Sequence, residues 1–110
     1  MSKIVSTNNL NGKIIRDTDV YIVEDNTDLE RMVLSKTTLH PGKETGGHSH
    51  EGVEELYFIN QGSGNIQLND SVHPISNGDI IIVQDGVFHK VFNTGTEDLI
   101  FVSVFETYKR

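Results

Sequence analysis

The stretch GKETGGHSHEGVEELYFINQG, residues 42–62, changes character half-way along. Its first half is polar and turn-forming, with Gly42, Gly46 and Gly47 ahead of His48-Ser49-His50. Its second half, Glu55 to Asn60, is a strand-length run of aromatic and aliphatic residues closed by Gly62. Residues i and i+2 of an extended chain share a face, so His48 and His50 can aim both imidazoles at one point. The same alternation turns Glu54 and Glu55 to opposite faces, so only one of these carboxylates can join the histidines. Glu51 reads as a solvated turn residue.

Outward from this stretch the chain is punctuated by short breaks rich in Gly and Asn, such as Asn11-Gly12, Asn69-Asp70, Asn77-Gly78 and Asp85-Gly86. Between them lie runs rich in β-branched and aromatic residues: Lys13 to Arg16, Val20 to Val23, Leu29 to Leu39 and Glu55 to Asn60. Asn65 to Leu68, Ile80 to Val83, Lys90 to Asn93 and Leu99 to Glu106 follow. Leu29 to Leu39 is long enough to predict a bend or bulge near Lys36. No segment keeps a helical period over ten residues. So many short strands predict an all-β sandwich, jelly roll or barrel, in a chain of one-domain length.

Composition bounds the chemistry. Ten glycines against two prolines suit a turn-rich β domain. With no cysteine, any bound metal must take nitrogen and oxygen ligands. A net charge of −7 argues against nucleic acid and anionic membranes as partners. The start carries no apolar run of the signal-peptide kind, and no stretch reaches the roughly 18 apolar residues of a membrane span. The expected location is the cytoplasm.

A third histidine, His89, opens a later strand after Gly86. Three imidazoles and one carboxylate make an N/O donor set suited to one divalent transition metal (Mn, Fe, Co, Ni, Cu or Zn) with positions left for water or substrate. Here the spacing resembles a known family. Gly42, five residues, His48-Ser49-His50, four residues, Glu55, six residues and Gly62 resembles the first sequence motif of the cupins. Gly78 through His89 to Asn93 is similar to the second, with Gln84 where proline is usual; proline there only stiffens a turn. Fifteen residues, Ser63 to Asn77, separate the two, as in compact single-domain cupins.

The resemblance implies a jelly-roll barrel, the double-stranded β-helix, over residues 1–110, with N-terminal strands in 1–28 and the barrel in 29–106. It implies His48, His50, Glu55 and His89 as the metal ligands, because the step from Glu55 to Gly62 fits the motif and Glu54 would be one residue out. Tyr57 and Ile59 share the Glu55 face and are expected to line the cavity, with Tyr57, or a water on the metal, as the candidate proton-transfer group. Arg31 or Lys36 on a cavity-bordering strand could meet a substrate carboxylate, although a solvated outer face is the more usual place for either. His40 and His73, each ahead of a proline, read as turn or surface residues. Phe88, Phe92, Phe101 and Phe105 read as core or interface. The glycines of Gln61 to Gly64 read as a tight turn, since no helix follows to make a phosphate cradle.

The expected function is metal-dependent chemistry on a small oxygen-rich molecule, a sugar, uronate, or hydroxy or keto acid, by Lewis-acid isomerase or lyase chemistry. An Fe- or Mn-dependent dioxygenase and a non-catalytic binding module are the alternatives. A barrel of this kind is also expected to pair as a homodimer, through the strands around Lys13 to Val23.

Overall fold

The computed structural model describes residues 2–49 and 51–107. These form nine strands: β1 (Lys13–Asp17), β2 (Tyr21–Asn26), β3 (Met32–Leu39), β4 (Glu55–Gln61), β5 (Ser63–Leu68), β6 (Ser71–Ser76), β7 (Ile80–Val83), β8 (His89–Phe92) and β9 (Leu99–Glu106). Two antiparallel sheets result, one in the order β1-β2-β3-β9-β4-β7 and one in the order β6-β5-β8. Among the described residues there is no helix, hence none long and apolar enough to cross a membrane.

The inner faces of the two sheets share one core. Leu39, Tyr57, Ile59, Ile81, Val83, Leu99 and Phe101 come from the large sheet, and Ile66, Ile75 and Val91 from the small one. β4 shows how the alternation works: Glu55, Tyr57 and Ile59 are buried while Leu56 and Phe58 are exposed. Burial of side chains this size stabilises the fold by about 1.5–3 kcal/mol each, so the register is strongly held. Slipping β4 by one residue would put Leu56 inside and expel Glu55.

The all-β expectation agrees with this architecture, with local differences. β2 runs on to Asn26, past the apolar residues, because Glu24 and Asp25 pair with Lys36 and Ser35 of β3. β3 runs straight through Lys36 in continuous register with β2 and β9. The ladder is instead interrupted between Ile14 and Arg16 in β1 and between Ile59 and Gln61 in β4. β6 was not expected at all, since Pro74 lies inside it; it is an edge strand, where a missing backbone donor is tolerated. Gly62 makes the expected turn with a positive φ of 88°, and a Cβ there would approach Asp98 O at 2.8 Å. Gly64, read as part of that turn, lies in β5, where a Cβ would collide with the Phe92 carbonyl oxygen.

Candidate metal centre

The site forms where the segment before β4 crosses the start of β8. His48 and His89 exchange backbone hydrogen bonds, His48 N–H to His89 O at 3.1 Å and His89 N–H to His48 O at 3.0 Å. Gly47 permits this approach: its φ is 65°, and a Cβ would lie 2.7 Å from the Phe88 ring. Gly52 N–H donates to Asp85 Oδ1 at 2.7 Å, tying the loop after the histidine pair to the turn that launches His89. In that turn Val87 N–H donates to Gln84 O, so a backbone bond does the stiffening that proline would.

With Glu55 supplied by the start of β4, His48, Glu55 and His89 come together, one ligand atom from each lying within 4.8 Å of the others. His50, the fourth expected ligand, lies outside the described residues. Glu55 and His89 are buried and His48 is exposed. Glu54 faces outward, as alternation requires, and Glu51 is exposed.

The donor set fits a cation for a specific reason. His89 Nδ1 lies 3.0 Å from the Val87 carbonyl, which can only accept, so Nδ1 carries the hydrogen. In a neutral ring Nε2 then presents a lone pair, and it points at Glu55 Oε1 from 3.2 Å. Two acceptors that close in a buried setting require positive charge between or beside them, a proton or a metal ion. The proton solution shows in the His89 pKa. Burial alone would lower it, but hydrogen bonding to Glu55 and to Val87 O, with the carboxylate's charge, leaves it raised above the ordinary 6.5.

Beside the ligands lies a cavity of about 300 Å³. Its polar wall includes Ser35, Thr37, Thr45 and Ser103, and Tyr57, Phe101 and Phe105 supply aromatic surface. Tyr57 is buried, stacks on Phe101 at 5.2 Å and meets His89 edge-to-face at 5.8 Å. Neither Arg31 nor Lys36 reaches this space. Arg31 is exposed ahead of β3, and Lys36 alternates with buried Ser35 and Thr37 and so points to the outer face. The cation on the cavity wall is Arg16, which the sequence reading passed over. The hydroxyls were passed over too, although Ser35, Thr37 and Ser103 follow the period of buried residues in their strands.

Of the other aromatic and histidine residues, His73 lies at the surface as read, whereas Phe101 and Phe105, read as core or interface, also border the cavity. Phe101 is core, and Phe88, Phe92 and Phe105 are half-buried. His73 is exposed on β6, and His40 pairs with Asp98 at 3.1 Å at the end of β3.

A family model described as the cupin domain matches residues 35–105. An oxalate-binding protein of Thermotoga maritima is 38% identical over 72 residues, 66% of this chain and 60% of that protein, so the chain spans about three fifths of its length. The crystal structure of a predicted oxalate decarboxylase from T. maritima superposes with a TM-score of 0.78 at 27% identity, covering 96% of this chain and all of that one. A conserved protein with a double-stranded β-helix domain from Klebsiella pneumoniae superposes at 0.81 with 25% identity, covering 96% of this chain and 90% of that one. With the family model running from β3 to β9 across both glycine-framed segments, and such structures superposing on almost all of the chain, this protein belongs to the cupin family.

Proposed function

We propose that this cupin holds one divalent transition metal through His48, His50, Glu55 and His89 and uses it to bind and convert a small carboxylic acid by lyase- or isomerase-type chemistry. The convergence of His48, Glu55 and His89 beside a cavity lined with hydroxyls carries the reading. At about 300 Å³ the cavity is at the lower end for ligand sites, which favours a short acid over a sugar chain. The oxalate-binding name of the Thermotoga relative points the same way.

When bound, the metal supplies Lewis acidity that polarises a ligand oxygen. The chain's own residues do the rest. Glu55 and His89 present their donors from buried, fixed positions, Ser35, Thr37 and Ser103 orient ligand oxygens, and Phe101 and Phe105 exclude water. Tyr57, held by its stack on Phe101, offers a hydroxyl for proton transfer to the reacting carbon.

Elemental analysis of the purified protein, followed by calorimetric titration with oxalate and with a neutral hexose, tests this reading. Stoichiometric metal and binding of the acid alone are expected; a protein that takes up no transition metal, or binds only the sugar, overturns it. Oxygen-independent turnover separates it from dioxygenase chemistry.

We also infer pairing of two copies. The outer face carries Leu56 and Phe58 at 46% and 39% exposure, and their cross-strand partners Ile82 and Ile80 at 70% and 66%. This apolar patch at one end of the large sheet is a better seat for a second copy than the β1–β2 end, where Ile14 and Ile15 are the exposed apolar side chains of the edge strand. Light scattering of Ile82→Asp, expected to be monomeric where the parent is dimeric, decides between the two faces.

A further inference from the structure

We propose that Arg16 is the residue by which this cavity selects short dicarboxylates, its guanidinium taking the carboxylate that the metal does not hold; this rests on the acid-binding reading above. In β1, Ile14 pairs with Glu24 and Arg16 pairs with Val23, so Ile15 is an extra residue in the ladder. Without that bulge Ile15 would oppose Val23 and Arg16 would fall one position further along. Bulges re-aim side chains in this way. The row that Arg16 joins runs through Val23 and Thr37 to Phe101, all of which line the cavity. The irregularity therefore places a cation, rather than an isoleucine, at the cavity wall.

The charges around it make the arginine selective. Arg16 is the only Lys or Arg among the cavity-lining residues, and among the described residues it forms no ion pair. Among the described residues Glu55 is the one carboxylate on the wall, and it belongs to the candidate metal site. Arg16 is exposed and also borders a neighbouring depression with Asp19 and Glu44, neither of them within ion-pair distance, so its guanidinium stands as a cation at the edge of a cavity that would also hold a divalent metal. A ligand with a single carboxylate satisfies the metal and leaves the arginine solvated. A dicarboxylate of short span satisfies both, with the planar fork donating to two carboxylate oxygens at once.

Calorimetric titration of the metal-loaded protein with oxalate, malonate and glycolate, for the parent and for Arg16→Met and Arg16→Lys, tests the assignment. The parent is expected to bind at least one dicarboxylate more than tenfold more tightly than glycolate. Arg16→Met should abolish that preference with metal content, melting temperature and glycolate affinity unchanged, and Arg16→Lys should restore part of it. An unchanged dicarboxylate-to-glycolate ratio in Arg16→Met overturns the role of Arg16 while leaving the acid-binding reading intact. A parent that binds none of the three acids overturns that reading and this one together.

Discussion

His48 and His89 belong to segments about forty residues apart, yet they exchange two backbone hydrogen bonds and hold their rings 4.5 Å apart, nearly perpendicular. The pairing fixes the main chain under both imidazoles at once, so the two ligand side chains are placed by a backbone bridge rather than by side-chain packing alone. It also explains why His48 can be exposed and still be well positioned. The buried end of the centre, Glu55 and His89, is set by strand alternation, and the exposed end is set by this bridge.

Removing donors should therefore release metal without unfolding the barrel. His48→Ala and His89→Ala are each expected to weaken metal binding by at least the 10–100-fold typical of even outer-sphere changes, with the double variant metal-free. His73→Ala, on the exposed face of β6, should leave metal content and melting temperature unchanged. Stoichiometric metal in the His48→Ala, His89→Ala double variant, measured by elemental analysis, would falsify the ligand assignment.

Metal uptake should also depend on pH in a stated direction. His89 has its pKa raised in the folded, metal-free protein, so a proton competes with metal at Nε2 from above the ordinary 6.5 downward. Metal affinity is expected to weaken on acidification, beginning above pH 6.5. The metal-free protein should behave oppositely. Its folded state holds the proton more tightly than the unfolded chain does, a stabilisation complete below the unfolded value and lost as pH rises through the folded one. Thermal melts between about pH 5 and 8 check both trends. A metal affinity independent of pH in that range contradicts the Glu55–His89 geometry.

Much of this was legible in the sequence because strand alternation is a strict code. Glu55 in and Leu56 out follows from periodicity, and so does the shared face of Tyr57 and Ile59. β6 was hidden because Pro74 is a poor strand residue except at a sheet edge, and edges are a property of topology. Arg16 was hidden for a similar reason: its place beside the cavity depends on an extra residue in the ladder, and Lys13 to Asp17 carries no glycine to mark it. Lys36 was the more conspicuous cation, but an uninterrupted β3 sends it outward. Asn93 is a residue whose place in a motif has a structural cause. Buried, it donates to Leu39 O and Glu97 O and accepts from Gly95 N–H, closing the loop between β8 and β9.

Gly47 should be intolerant of a side chain. An alanine there would pay about 1–2 kcal/mol for its left-handed backbone and would push on the Phe88 ring. Because Gly47 adjoins His48, the strain is felt at the bridge to His89. Gly47→Ala is expected to lower the melting temperature and the metal affinity together. Gly46→Ala, where no atom lies within 4 Å of an added Cβ and φ is not positive, should change neither. Equal metal affinities for the two variants would show that the backbone at Gly47 does not govern the site.

Tyr57 offers the sharpest separation between structure and chemistry. Its ring stacks on Phe101 and meets His89, contacts that a phenylalanine would keep, so Tyr57→Phe should fold, load metal and bind acid like the parent. What it lacks is the hydroxyl, and loss of a positioned proton-transfer group slows turnover by about 10²–10⁴-fold. Single-turnover rates with a saturating acid should fall by that order while the dissociation constant stays put. Tyr57→Leu provides the contrast, because it also removes the stack, and it should lower stability by roughly 2–4 kcal/mol as large-to-small core changes do. If Tyr57→Phe turns over at the parent rate, proton transfer belongs to another group in the cavity, and Tyr57 is there to hold His89 and Phe101 in place.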